Sequence, residues 1–297
     1  MRKRIAPENA ATSWQKRLHS ALAVLFGLVA IGALSYVTLG TVLFFTQERS
    51  IFFPGPNDRE RRERYEASRV EIPTPGATVE GWWVENPDAT NELVVLYFGG
   101  NAEDVLYSAE TASRFNARRM LVTNYRGYGA SSGKPGQGPL YQDGLAIYDY
   151  VLSRGVRTDQ IVVVGRSLGS GVASMLAGAR QIRAAILVTP FDSLAEVAAR
   201  HYPYLPVRLL LKHPFPSDEW ARKARAPALV LAAAGDRIIP PSHARRLSEA
   251  WAGEAHLHVL VGSGHNDIEL HPDYYRLINA FLAKLNGMPP PSVDGSG

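Results

Sequence analysis

The chain has 297 residues and not one of them is cysteine. That absence excludes a disulfide scaffold, a thiol nucleophile, a cysteine-ligated zinc and an iron–sulfur cluster. It does not exclude an oxidising compartment, because a chain of this length needs no covalent staples to hold a core. Lysine is scarce as well, 6 residues against 26 arginines, and no internal repeat is visible. Nor is there a spread-out excess of either charge. The net charge is +4, but the first twenty residues alone hold Arg2, Lys3, Arg4, Lys16 and Arg17 against Glu8. The other 277 residues carry 27 basic and 27 acidic groups. The excess is therefore one N-terminal cluster and not a basic face, which argues against a nucleic-acid partner.

What is present is core material. With 46% hydrophobic and 20% charged residues the chain does not have a disordered composition. Its length suits one large α/β domain or two smaller ones.

Residues 21–45 (ALAVLFGLVAIGALSYVTLGTVLFF) form a 25-residue run without a charge. About 20 apolar residues span a bilayer as a helix, so this stretch is long enough with some tilt. A signal-peptide core is about 7–15 residues and ends at a small-residue cleavage site. This run ends Phe44-Phe45-Thr46-Gln47 instead. A buried core helix would keep a polar stripe, and here there are only Ser35, Thr38 and Thr41. The sequence therefore predicts an uncleaved transmembrane helix that anchors the chain in a bilayer. Basic residues are balanced across it: five before it face five arginines at 49, 59, 61, 62 and 64. Lys16 and Arg17 lie close to the span, and long domains translocate largely regardless of charge. Residues 1–20 are thus expected as a basic cytoplasmic flank, with the bulk of the chain outside. Residues 46–69 read as a juxtamembrane linker, with Phe52 and Phe53 at the interface and the charge run 58–66 as a solvated helical face. Residues 287–297 (GMPPPSVDGSG) read as a disordered tail.

From 70 to 286, short β-branched runs alternate with amphipathic segments. Strands are predicted at 70–73, 78–85, 93–98, 120–124, 161–165, 184–189, 228–233 and 256–261, and helices at 103–116, 139–154, 168–180, 242–252 and 272–285. Runs such as Leu93-Val94-Val95-Leu96-Tyr97-Phe98 are apolar throughout, as parallel strands buried on both faces require. No helix separates the first two strands, which should open the sheet in antiparallel fashion. The fold class is α/β: a mostly parallel eight-stranded sheet flanked by helices.

Gly165-Arg166-Ser167-Leu168-Gly169 follows one strand directly and opens a helix of small residues. This is the setting of a nucleophile elbow, where glycines let strand and helix approach closely and the serine stands exposed above the sheet. The pattern alone is weak, since Gly129-Ala130-Ser131-Ser132-Gly133 matches it too. That second match lies in a glycine-rich loop followed by Lys134-Pro135 and reads as a loop. A serine nucleophile needs a base and a group that orients the base, at later strand ends and in the order Ser, acid, His. Strand 228–233 leads into Gly235-Asp236, and strand 256–261 into Gly264-His265-Asn266-Asp267. Asp236 and His265 are the candidates; Asp192 is the alternative acid. His201, His213, His243, His256, His258 and His271 read as surface, turn or packing residues. Backbone N–H groups of Leu168 and of Asn101, in the loop Gly99-Gly100-Asn101-Ala102-Glu103, are the candidate oxyanion donors.

Together with Asn124-Tyr125-Arg126-Gly127-Tyr128-Gly129, these motifs resemble the α/β-hydrolase superfamily, and more narrowly its Bem46-like membrane-associated branch, over residues 45–286. One departure is visible: the family usually reads His-Gly-Asn where this chain has Gly99-Gly100-Asn101. The resemblance implies a serine hydrolase acting on an acyl ester or thioester, small-molecule or lipid-like, through Ser167, His265 and Asp236 without metal or cofactor. A serine peptidase uses the same machinery, and an inactive binding or scaffolding protein can use the same fold. The family's cap follows the sixth conserved strand, and here only 191–227 can supply it. Its apolar part (Tyr202, Tyr204, Leu205, Val207 and Leu209 to Leu211) lines an acyl pocket, dips into a membrane or packs as a short helix. The arginine bias and abundant alanine are associated with GC-rich bacterial genomes. On that association the membrane is a bacterial inner membrane, and the domain periplasmic or extracellular.

Overall fold

The computed structural model describes residues 10–55 and 58–285, with side chains from Trp14 onward. The expected tail at 287–297 and the first nine residues of the basic flank lie outside them. The chain divides into two compact units, Met1–Gln47 and Glu48–Gly297.

The first unit is helical. Helix α1 (Ala10–Ile51) contains the uncharged run and continues past it, because no proline stands between Ala10 and Pro54. Among the described residues it is the one helix long and apolar enough to cross a membrane. At about 1.5 Å per residue, the 25 uncharged residues measure roughly 37 Å, against a hydrocarbon core of about 30 Å. Phe26, Leu34 and Phe45 are exposed along it, an arrangement that water disfavours and lipid does not.

The second unit starts at Glu48, well before the domain start expected at 70. Phe52, expected at a membrane interface, is 4% exposed. Its ring packs edge-on to His213 at 5.0 Å and lies 6.3 Å from Phe215. Burying a phenyl ring is worth about 1.5–3 kcal/mol, and the cap region offers it a site. Phe53 stays 61% exposed. The charge run is helical, as helix α2 (Arg59–Tyr65), but it is not solvated on all sides. Arg61 pairs with Asp104 at 2.5 Å and Arg62 with Glu80 at 2.5 Å. Glu80 is 1% exposed and also accepts from Arg69, and a carboxylate so buried demands such partners.

The sheet comprises β1 (Arg69–Thr74), β2 (Ala77–Glu85), β3 (Val94–Phe98), β4 (Arg119–Thr123), β5 (Ile161–Arg166), β6 (Ala184–Val188), β7 (Ala228–Ala233) and β8 (Ala255–Leu260). Each lies within one residue of its predicted bounds. The spatial order is β1-β2-β4-β3-β5-β6-β7-β8. β2 is antiparallel to both β1 and β4, and every later pairing is parallel. The helices are α3 (Val105–Glu110), α4 (Gln137–Ser153), α5 (Leu168–Ala179), α6 (Leu194–His201), α7 (Val207–Leu210), α8 (Ser217–Ala221), α9 (Pro241–Ala250) and α10 (Asp273–Leu285). α3 is shorter than the expected 103–116, because the Asp104 side chain caps it by accepting from Leu106 N and leaves Glu103 in the loop.

Two cores result from the alternation along each strand. Val94, Leu96 and Phe98 of β3 and Ile161 and Val163 of β5 face one core with α4, α5, α8 and α9. Val95, Tyr97, Val162 and Val164 face the other with α3 and α10. A period of two divides each apolar run between the two faces. Because β3, β5, β6, β7 and β8 run parallel, their C-terminal ends share one edge of the sheet, and the loops that leave it converge.

Candidate active site

Ser167 stands between the last residue of β5 and the first of α5, with φ +49° and ψ −114°. A non-glycine residue at positive φ costs about 1–3 kcal/mol and persists where its surroundings over-determine it. Here they do. Ser167 N donates to Val188 O of β6 at 2.9 Å, and Ser170 N donates back to Ser167 O at 2.9 Å. The flanking glycines are required by space. A β-carbon on Gly169 would overlap the Phe98 carbonyl, and one on Gly165 would overlap the Gly169 carbonyl. Strand, turn and helix are thereby pressed together and the hydroxyl is thrust out of the sheet edge.

Asp236 follows β7 and is 5% exposed. Its Oδ1 accepts from Ile238 N at 2.9 Å and Ile239 N at 2.7 Å. Those two bonds fix the carboxylate and leave Oδ2 for His265 Nδ1 at 2.7 Å. A carboxylate only accepts, so Nδ1 carries the proton and Nε2 is free to accept from the Ser167 hydroxyl, 2.9 Å away. Residues 98 and 29 positions apart in the chain thus form one unbroken line of hydrogen bonds.

Two backbone donors come from the elbow and from the loop after β3, where a β-carbon on Gly100 would stand 3.6 Å from the Ser167 β-carbon. Leu168 N belongs to the first residue of α5, where helix geometry leaves N–H groups without an intrahelical partner. Asn101 lies in the loop after β3, and neither its N–H nor that of Leu168 has an acceptor among the described residues. The positive end of α5 adds to the field there. The Asn101 side chain faces elsewhere: its Oδ1 accepts from Phe53 N at 2.8 Å and from the Tyr128 hydroxyl at 2.9 Å.

The alternatives occupy other places. Ser131 is 7% exposed, and its Oγ accepts from Glu80 N at 2.9 Å. Asp192 bonds His243 Nδ1 at 2.6 Å and also Arg246, not His265. Burial alone would raise the Asp192 carboxyl, but hydrogen bonds from His243 and Arg246 outweigh it and hold the group below the ordinary aspartate value. The Asp192 carbonyl accepts from Asp218 N, so the cluster ties two parts of the cap to each other and to α9. His201 bonds the Ile238 carbonyl at 2.9 Å, and His213 packs on Phe52. Within the cap, α7 buries only Val207, while Tyr204 and Leu209 point outward at 88% and 85% exposure. Among the described residues no three His, Asp or Glu side chains converge as a metal site would require.

Sequence reasoning assigned no role to Glu103 and Arg166, although both lie inside quoted motifs. Glu103 Oε2 accepts from Gly100 N at 2.6 Å and from Arg166 at 3.1 Å. The available signal was an arginine at the end of an otherwise apolar strand, since a buried charge demands a partner.

The comparisons with known proteins bear on the family and the fold. A family model described as Serine hydrolase matches residues 151–280, which include Ser167, Asp236 and His265. An uncharacterized protein of Mycobacterium tuberculosis (strain ATCC 25618 / H37Rv) is 37% identical over 251 residues, covering 82% of this chain and 89% of that one. Alpha/beta hydrolase domain-containing protein 17B of Homo sapiens is 30% identical over 198 residues, 65% of this chain and 67% of its own length. Among solved structures, a Pyrococcus furiosus esterase superposes with a TM-score of 0.60 at 19% identity, covering 77% of this chain and 96% of that one. Est1E from Butyrivibrio proteoclasticus gives 0.61 at 16% identity, covering 74% and 100% respectively, and at such identities the likeness is one of fold.

Proposed function

We propose that this chain, which belongs to the α/β-hydrolase family of serine hydrolases, cleaves an acyl ester or thioester through an acyl-enzyme formed on Ser167. One observation carries the reading: the line Asp236–His265–Ser167, bonded at 2.7 and 2.9 Å. Ser167 Oγ attacks the acyl carbon while its proton passes to His265 Nε2. Asp236 holds the imidazole tautomer and stabilises the imidazolium. Asn101 and Leu168 N–H groups receive the oxyanion, each worth about 2.7–4 kcal/mol in comparable sites. The tetrahedral adduct collapses, the leaving alkoxide or thiolate takes the proton from His265, and the acyl group remains on Ser167 as an ester. Water then repeats the sequence with His265 as base, releasing the carboxylic acid and restoring the serine. No cofactor enters these steps.

A fluorophosphonate probe tests the assignment. It is expected to label the wild-type chain on Ser167 and to leave Ser167→Ala unlabelled; equal labelling of both removes Ser167 from the mechanism.

The proposal extends to anchoring. Helix α1 holds the protein in a bilayer with Lys16 and Arg17 on the cytoplasmic side and the catalytic unit across the membrane, supported by the length and uncharged character of 21–45. Protease added outside intact cells should digest the catalytic unit; protection until the cytoplasmic face is opened reverses the orientation. Placement in the Bem46-like branch is supported by the same motif run.

A further inference from the structure

We propose that Glu103 and Arg166 are a positioning pair that joins the three loops of the site and selects which backbone amide faces the nucleophile, an inference that rests on the reading of Ser167 as that nucleophile.

The pair is central by connectivity. Arg166 is the residue immediately before Ser167. Its guanidinium donates to Glu103 Oε2 at 3.1 Å, in the loop after β3, and to the His265 carbonyl at 3.4 Å, in the loop after β8. Glu269 lies 3.9 Å from the same guanidinium. One side chain therefore touches the oxyanion loop and the histidine loop while its own backbone leads into the elbow.

Glu103 is fully engaged. Oε1 accepts from the Tyr97 hydroxyl at 2.8 Å and the Ser108 hydroxyl at 2.7 Å, and Oε2 from Gly100 N at 2.6 Å and Arg166. Its side chain is 7% exposed, so these four donors stand in for the water it has lost. Burial holds the Tyr97 phenol un-ionised, and it remains a donor across the working range. Burial also opposes the Arg166 charge, but Glu103 beside it more than compensates and the guanidinium stays protonated.

The consequence for the oxyanion loop is specific. Capture of the Gly100 N–H by Glu103 removes that amide as a donor, and the Glu103 N–H donates back to the Gly100 carbonyl at 3.4 Å, holding the peptide that leads into Asn101, whose N–H has no acceptor among the described residues. From the other side, Tyr128 and Phe53 hold the Asn101 side chain. A β-carbon on Gly99 would lie 3.2 Å from the Glu103 carboxyl carbon, so the carboxylate fills the space a side chain there would need. The second buried arginine–carboxylate pair, Arg126 with Asp143, contacts no site residue, so burial alone does not account for where Arg166 points.

The experiment uses the full chain, with p-nitrophenyl butyrate as substrate, a fluorophosphonate to titrate Ser167 and a trifluoromethyl ketone as a tetrahedral-adduct probe. Displacing a catalytic donor by an ångström costs about 100-fold. On that scale Glu103→Gln and Arg166→Met should each lower kcat about 10- to 100-fold with KM within about threefold. Ketone affinity should fall in parallel with kcat/KM. Arg166→Lys, which reaches only one of the two loops, should fall between wild type and Arg166→Met. The double variant should be no worse than the poorer single one by more than about twofold, because both break one unit. Ser108→Ala removes a single donor to Glu103 without stranding a charge, and should lower kcat about two- to fivefold with the melting temperature retained. Folded variants that label on Ser167 and keep wild-type kcat and ketone affinity overturn the positioning role, as does a loss confined to melting temperature. A wild-type chain not labelled on Ser167 overturns the underlying reading instead, and this proposal with it.

Discussion

The chain contains the pattern G-x-S-x-G twice, at 129–133 and at 165–169, and the two copies use their glycines for different ends. In the first, Gly129 and Gly133 sit at φ +56° and +86°, conformations that a tight loop needs and that side chains resist. Its serine is turned inward, and the hydroxyl oxygen is taken up by the Glu80 N–H. In the second, the glycines are there for space, so that strand, helix and the Phe98 carbonyl can meet, and the serine itself carries the positive φ. Strain at the serine throws its hydroxyl toward His265; strain at the glycines leaves the hydroxyl to hold a loop. What gives the pattern its meaning is the strand before it and the helix after it.

Three pairs of substitutions sharpen that contrast. Ser167→Ala should lower ester turnover about 10⁶-fold, as loss of a nucleophile does in comparable triads. Ser131→Ala should keep turnover within about twofold while leaving the Glu80 N–H without its acceptor, at about 1–3 kcal/mol in urea denaturation. The aspartates form the next pair. Asp236→Asn should cost about 10⁴-fold in kcat, because the histidine loses its tautomer. Asp192→Asn should spare turnover and weaken the fold instead. The sign of its pH dependence follows from a folded-state value held below the ordinary one of about 3.8. The stabilisation is present above that pH and is lost as pH falls through the depressed folded value. The gap in melting temperature between wild type and Asp192→Asn should therefore narrow as pH falls below that ordinary value. Divergence there would mean that the Asp192 charge does not hold the cluster. The glycines are told apart by folding. Gly169→Ala should cost about 4 kcal/mol or more, since its β-carbon overlaps main chain. Gly133→Ala meets the Ala77 methyl at 3.1 Å and no main-chain atom among its three nearest neighbours, and should cost about 1–2 kcal/mol for its left-handed backbone.

The strands were legible to within a residue because β3, β5, β6 and β7 are buried on both faces, so each is an unbroken apolar run between turn residues. The site was legible as an order: a serine, an acid and a histidine, each just past a strand. Less was readable at the edges. Phe52 next to an apolar helix looked like a membrane-interface residue, and only the packing of Phe215 and His213 shows why it is buried. The arginines of α2 looked solvated because their partners Glu80 and Asp104 are 18 and 43 residues away. Arg166 and Glu103 are separated by 63 residues, and no local periodicity marks a pair at such a distance.

By itself the sequence determined the alternation of strands and helices, the long apolar helix at one end and the candidate order Ser167, Asp236, His265, since those depend on side-chain type and short-range spacing. Tertiary structure alone decided that Phe52 is buried, that Glu103 takes up the Gly100 N–H and where the other buried charges find partners. Those outcomes depend on which strand ends become neighbours, and hydrogen bonds of 2.6–2.9 Å form only once the sheet has brought them together.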